Sequence, residues 1–202
     1  MLLVRVIRHR NDKILFNICR KYLESWFKVG DLLYKGSRDG FSAANFHSKC
    51  DNKGPTLTLV SVGEGLKTGF IFGGFNSYLW NSSDGSYYAV PQSLLFSLRR
   101  NTKGTKPHLI KLRRYNNNHI YCHSGYGPIF GSGHGLCIAS DCNTNTSSYS
   151  KLTGRHNFEA PPECGLAYFA GSRNFKVSEI EIYQATRLVA HLRMLVHARH
   201  RW

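Results

Sequence analysis

Asp51-Asn52-Lys53-Gly54-Pro55-Thr56-Leu57-Thr58-Leu59-Val60 is where the chain changes period. The first five residues force a turn, and the next five alternate with the period of a strand. Before this point apolar residues recur at helical steps. Ile14, Leu15, Ile18, Cys19, Tyr22, Leu23 and Trp26 make one stripe, which predicts a helix over residues 12–27. Asn11 or Asp12 is placed to cap its start, and Gly30 to stop it. Residues 31–35 read as a short strand. A second helix runs from a Ser42 cap to Cys50, with Ala43, Phe46 and Cys50 inward. After the turn the candidates are all short strands: 56–60, 70–72 ending at Gly73-Gly74, 94–98, 109–112, 120–122, 136–139, 166–170 and 177–183. Loops rich in Gly, Asn and Ser separate them, and no strand–helix–strand alternation follows residue 55. The expected class is α+β: an antiparallel β-sandwich flanked by short helices. An amphipathic helix precedes it. A basic amphipathic helix over 187–202, with Leu188, Val189, Leu192, Leu195 and Val196 on one face, follows it.

The chain has 202 residues, enough to bury about 70% of the unfolded surface in one domain. Its net charge of +15 is unevenly placed. Residues 1–30 hold seven basic and two acidic side chains, and residues 185–202 hold four Arg and no acid. The middle, 31–184, holds sixteen basic and ten acidic residues, a mildly basic body. A specific nucleic-acid surface needs a continuous basic face with aromatic platforms, which this distribution does not supply. The expected organisation is a basic lead-in with its helix over 1–27, a central domain over 28–185, and a basic tail over 186–202. That tail either docks on the sandwich or touches an anionic membrane or a partner.

No apolar run approaches the roughly 20 residues of a membrane-spanning helix. The N-terminal apolar stretch is cut by Arg5 and Arg8 and lacks a small-residue cleavage site, so it makes a poor secretory signal. An intracellular, cytoplasmic location follows as the expectation. Arg5, Arg8, Arg10 and Arg20 against Asp12 leave mitochondrial import as the alternative. The six cysteines, Cys19, Cys50, Cys122, Cys137, Cys142 and Cys164, are then expected as reduced, buried thiols.

Five blocks in order carry a resemblance. The first is Leu32-Leu33-Tyr34-Lys35-Gly36-Ser37-Arg38-Asp39-Gly40-Phe41-Ser42, which runs into Phe46-His47-Ser48-Lys49-Cys50-Asp51-Asn52-Lys53-Gly54-Pro55-Thr56-Leu57-Thr58. Then come Ile71-Phe72-Gly73-Gly74-Phe75 and Leu94-Leu95-Phe96-Ser97-Leu98. Late in the chain are Gly127-Pro128-Ile129-Phe130-Gly131-Ser132-Gly133-His134 and Phe175-Lys176-Val177-Ser178-Glu179-Ile180-Glu181-Ile182-Tyr183-Gln184. In this order they resemble a TLDc domain, the family of the oxidation-resistance proteins and a nuclear receptor coactivator, over about residues 28–185. The resemblance implies a β-sandwich flanked by helices, a role in oxidative stress resistance, and binding to the vacuolar proton-pumping ATPase through its peripheral sector. It brings no accepted reaction, catalytic set or cofactor. The chain departs from the pattern where Gly135 follows His134, since an acid is usual there, and where residues 66–69 lengthen a hairpin.

Read as chemistry, the blocks yield few constellations. Ser37, Arg38, Asp39 and Gly40 join a strand to a helix, a place for local backbone bonding or for a partner-binding loop. Gly73 and Gly74 mark a bulge or a close backbone approach. Gly127, Gly131 and Gly133 match no phosphate-cradling pattern. Glu179 and Glu181, two apart on a strand, face the same way about 6–7 Å apart. With His134 they are the best candidates for a hydrolase or redox site, against the plainer reading of a polar strand face opposite Ile180 and Ile182. Cys122, His123, His134, Cys137 and Cys142 lack paired metal-knuckle spacing, so no metal is expected. The leading expectation is a non-enzymatic binding module. An enzyme at Glu179, Glu181 and His134, and a membrane-surface adaptor acting through the tail, are the alternatives.

Overall fold

A computed structural model describes residues 14–63, 69–100, 106–111, 117–152, 158–159 and 165–188. The chain order is α1 (Ile14–Trp26), β1 (Phe27–Lys35), α2 (Gly36–Asp39), α3 (Ala43–Cys50), β2 (Thr56–Val62), β3 (Phe70–Asn76), β4 (Asp84–Tyr88) and β5 (Leu94–Arg99). It continues with β6 (His108–Lys111), β7 (Ile120–His123), β8 (Tyr126–Phe130), β9 (Leu136–Ala139), β10 (Ser148–Ser150), β11 (Asn174–Phe175) and β12 (Glu179–Arg187). The strands form two six-stranded sheets, ordered β1-β12-β2-β3-β5-β6 and β11-β10-β9-β8-β7-β4. Every strand pair is antiparallel. The expected antiparallel sandwich with short helices is the fold observed.

One apolar cluster fills the space between the sheets, with Val60, Phe72, Leu95, Ile180 and Ile182 from the first meeting Ile120, Phe130 and Leu136 from the second. A second cluster lies on the far side of the first sheet, where Leu15, Cys19 and Leu23 of α1 cover Leu57, Leu59, Phe75 and Phe96. The first sheet is therefore buried on both faces. This explains β2, whose Thr/Leu alternation suggests one wet face but whose seven residues are all buried. Leu57 and Leu59 lie under the helix, while Thr56 turns inward and its hydroxyl accepts from Trp80 Nε1 at 2.8 Å. Each large side chain buried under α1 contributes about 1.5–3 kcal/mol.

The helix sits rotated from its expected stripe. Leu15, Phe16, Cys19 and Leu23 are buried, whereas Ile18 and Tyr22 are each 43% exposed. Phe16 takes the inward place because its ring meets Tyr183, centroids 5.5 Å apart. Gly30 does not stop the helix; α1 ends at Trp26 and β1 begins at the next residue. The boundary drawn at 27/28 thus falls one residue inside β1, within one apolar layer.

Other expectations change for local reasons. Residues 166–170 form a turn rather than a strand, closed by Tyr168 N–H to Gly165 and Gly171 N–H to Ala167. β3 runs on past Gly73 and Gly74 to Asn76. β12 extends through Arg187, which pairs with Phe27, so Arg187 begins no helix. Leu188 is not helical either and donates its N–H to the Trp26 carbonyl; the expected tail helix beyond it, and the Asn11 or Asp12 cap, lie outside the described residues, as do Cys164 and most of the 66–69 stretch. Four strands were hidden. β4, β10 and β11 are short and polar, and β8 contains Gly127-Pro128. Pro128 lies within an irregularity of the β8–β9 register, between Tyr126 and Ile129, where the ladder tolerates a missing N–H.

Candidate functional site

Glu179 and Glu181 leave β12 on the side away from the sheet–sheet core, and both are buried. Each carboxylate serves a different helix. Glu181 accepts the backbone N–H groups of Ile14 (2.9 Å), Leu15 (3.2 Å) and Phe16 (3.3 Å) at the start of α1. It also accepts the Tyr183 hydroxyl at 2.6 Å, and Lys35 Nζ lies 4.0 Å away. A helix begins with N–H groups that have no partner in their own helix, and its N-terminal end favours negative charge. Glu181 is thus a long-range cap, made by a residue 167 positions from the first N–H it binds. Burial pushes its carboxyl up, against the Tyr183 hydroxyl, the Leu15 and Phe16 N–H groups and Lys35.

Glu179 holds α2. It accepts Ser37 N–H (3.1 Å), the Ser37 hydroxyl (2.5 Å) and the N–H of Ile180 (3.0 Å). Arg38 and Asp39 pair with one another through two contacts, Nη2–Oδ2 at 2.7 Å and Nε–Oδ1 at 3.0 Å, and Arg38 also reaches the Leu33 carbonyl. Asp39 accepts Lys35 N–H at 2.9 Å. Partial burial pushes the Asp39 carboxyl up, but the Arg38 guanidinium and the Lys35 N–H outweigh it and hold the group below its ordinary value. Gly40, at φ 95°, closes the corner, and its carbonyl accepts the Tyr34 hydroxyl.

The 51–55 turn ties α3 to the second sheet. At the start of α3 Ser42 is the cap, as expected, and Asn45 completes a reciprocal capping box with it. At the other end Asp51 accepts His47 Nδ1 at 2.7 Å and the Ser82 hydroxyl, while His47 Nε2 faces the carbonyls of His123 and Tyr126. Asn52 N–H and Lys53 N–H bond Trp80 and Cys50 carbonyls. Gly54, joined to Pro55 by a cis bond, leaves no room for a side chain, since a Cβ would lie 2.0 Å from the Tyr78 carbonyl. Gly73 and Gly74 are close approaches in mid-strand: a Cβ would meet the Thr58 carbonyl at 1.9 Å and the Phe130 ring at 2.6 Å.

His134 belongs to the other sheet, in the turn between β8 and β9 that also holds Gly131 and Gly133, and its own φ is 59°. Gly127, in β8, faces Ile138 across the hairpin. His134 Nδ1 lies 3.0 Å from the Tyr149 hydroxyl. Burial, then Lys151 and His123, hold its imidazole below the ordinary value. The acid usual after this histidine is replaced by Gly135, where a Cβ would come within 3.4 Å of the Phe158 ring. The proposed grouping of Glu179, Glu181 and His134 is therefore not formed. The two glutamates face α1 and α2 on one sheet, and His134 faces tyrosines on the other. No catalytic centre is assembled from them.

The described thiols are buried and free. Burial pushes Cys19, Cys137 and Cys142 up to about 12 and Cys122 up to about 11, and raises Cys50 further. Among the described residues no three His, Cys, Asp or Glu side chains group as a metal site. The cavity beneath α3, between Phe46, Pro128 and Ile180, is apolar and no larger than a water. No described helix is long and apolar enough to cross a membrane.

The family model described as the TLDc domain matches residues 11–186. The chain belongs to the TLDc family. No curated protein matches it. The matched span of this TLDc chain takes in α1 as well as the two sheets, in keeping with the Glu181 cap that joins them. Sequence reasoning had the residues of that cap but not its role, because no local spacing links Glu181 to Ile14. It also passed over the tyrosines around His134, which come from β4, β7, β8 and β10 and share no local spacing.

Proposed function

We propose that this TLDc chain is a non-enzymatic binding module. Its partner in this reading is the peripheral catalytic sector of the vacuolar proton-pumping ATPase, its output is resistance to oxidative stress, and its location is cytoplasmic. One observation supports the binding reading above the others: the polar groups that could have done chemistry are engaged in holding helices. Glu179 and Glu181 together accept seven hydrogen bonds, five of them from the starts of α1 and α2. Among the described residues the thiols are buried, which argues against direct thiol chemistry at those five positions.

The partner is tested by capture. Immobilised full chain is offered the purified peripheral sector, with an established TLDc-family member as positive control. The expected result is co-elution of the sector with both. Recovery by the control alone would overturn the assignment of partner.

A further inference from the structure

The outer face of the second sheet carries an aromatic cluster that the glutamates do not touch. Tyr87 on β4 meets Tyr121 on β7, ring centroids 4.8 Å apart. His134 lies over Tyr121 at 4.7 Å, with Tyr126 at 6.4 Å and Tyr149 at 6.5 Å. Ile129 and Cys137 form a floor with no exposure, while Tyr87 and Tyr126 are each 38% exposed. The rim is held in place. Gly133 N–H donates to the Tyr87 hydroxyl at 3.2 Å, and Lys151 Nζ sits 4.8 Å above the Tyr149 ring. Rings that are already ordered lose little freedom on binding, and tyrosine is enriched at the centres of protein interfaces.

Charge selects the partner. The groups acting on His134 are the Lys151 ammonium and His123, whose Nδ1 accepts the Gly125 N–H at 2.9 Å and leaves Nε2 as its donor. On strands β4 and β7 to β10 the single carboxylate is Asp84, at the sheet edge opposite His123. The phenol hydroxyls add donors to this cationic rim. A complementary surface carries negative acceptors spaced among flat or apolar groups.

We propose that this face docks an acidic segment of a protein partner. Its carboxylates meet Lys151, His123 and the phenol hydroxyls, and its apolar side chains lie on Tyr87 and Tyr126. This rests on the binding-module reading but not on the identity of the pump.

The test uses the full chain and a labelled hexapeptide alternating glutamate and phenylalanine, followed by fluorescence anisotropy. A hexapeptide alternating lysine and phenylalanine is the control. The acidic peptide is expected to bind, and the lysine peptide is not. Binding is expected to weaken at least tenfold in the double variant Tyr87→Ala with Tyr126→Ala, and also in Lys151→Glu. The second variant removes no ring, so a folding defect in the first does not decide the outcome. Equal binding by all three chains, as attachment to the basic terminal segments would give, overturns the proposal, and so does equal binding of the lysine peptide. Should the peptide results hold while the peripheral sector is not captured, the docking face stands and the pump assignment falls.

Discussion

The two sheets spend their polar residues differently. The first sheet is covered on both faces, and its two glutamates, Glu179 and Glu181, are closed off by helix N–H groups and hydroxyls. The second is covered on one face, and on the other its tyrosines and His134 form a ring cluster in which Tyr87 and Tyr126 are exposed. A buried carboxylate that is fully bonded makes a fold specific and is poorly placed to meet a ligand. An ordered, half-exposed ring is the reverse. The contrast teaches that the residues most suggestive of catalysis in this chain, the glutamate pair, are architectural. The proposed docking surface is built from tyrosines around His134, the candidate that the two glutamates do not join.

The largest effect that would break the contrast is steric. Gly73→Ala puts a methyl against the Thr58 carbonyl in the covered sheet, and about 3 kcal/mol of stability is expected to be lost in urea unfolding. Gly165→Ala, with nothing within 4 Å, is expected to change stability by less than about 0.5 kcal/mol. Next comes Glu181→Gln, which replaces one accepting oxygen by a donor facing helix N–H groups. About 2 kcal/mol is expected to be lost, with faster amide exchange at residues 14–16. Ser37→Ala removes one of the three donors to Glu179 and is expected to cost about 1 kcal/mol. Tyr126→Ala, on the open face, is expected to cost less than any of these except Gly165→Ala while weakening partner binding.

Two smaller tests sharpen the same contrast. The thiols of the covered regions are expected to resist Ellman's reagent at pH 8. At most one of the six should react quickly in the native protein, and all six after denaturation, because five are buried with raised pKa values. On the open face, His134 is held below its ordinary value of 6.5. The unfolded chain therefore takes up this proton first. Its contribution to stability is complete above that value and is lost as pH falls from there toward the depressed one. His134→Gln is expected to flatten that part of the stability–pH curve.

What the sequence made legible was what is local. Ser42 announces the start of α3, and the apolar run over 136–139 bounds β9 correctly. Of the two readings of the glycine pair, a bulge or a close approach, the structure shows close approaches, to the Thr58 carbonyl at Gly73 and to the Phe130 ring at Gly74. What stayed hidden depends on distant contacts. Phe16 displaces Ile18 from the core because Tyr183 is waiting for its ring. Residues 166–170 have the composition of a strand, yet Gly165 and Gly171 let them close on themselves, and Phe169 stacks on Phe72 at 5.0 Å. The docking face was illegible because its tyrosines come from four strands that share no spacing in the chain.

Hydrogen exchange of the full chain, with and without the captured peripheral sector, tests the division of labour most directly. Protection is expected across residues 121–134 and 148–151 on the open face, with residues 14–16, 36–39 and 179–181 unchanged. Protection confined to those glutamate-bound segments, with the tyrosine face unaltered, would contradict the account.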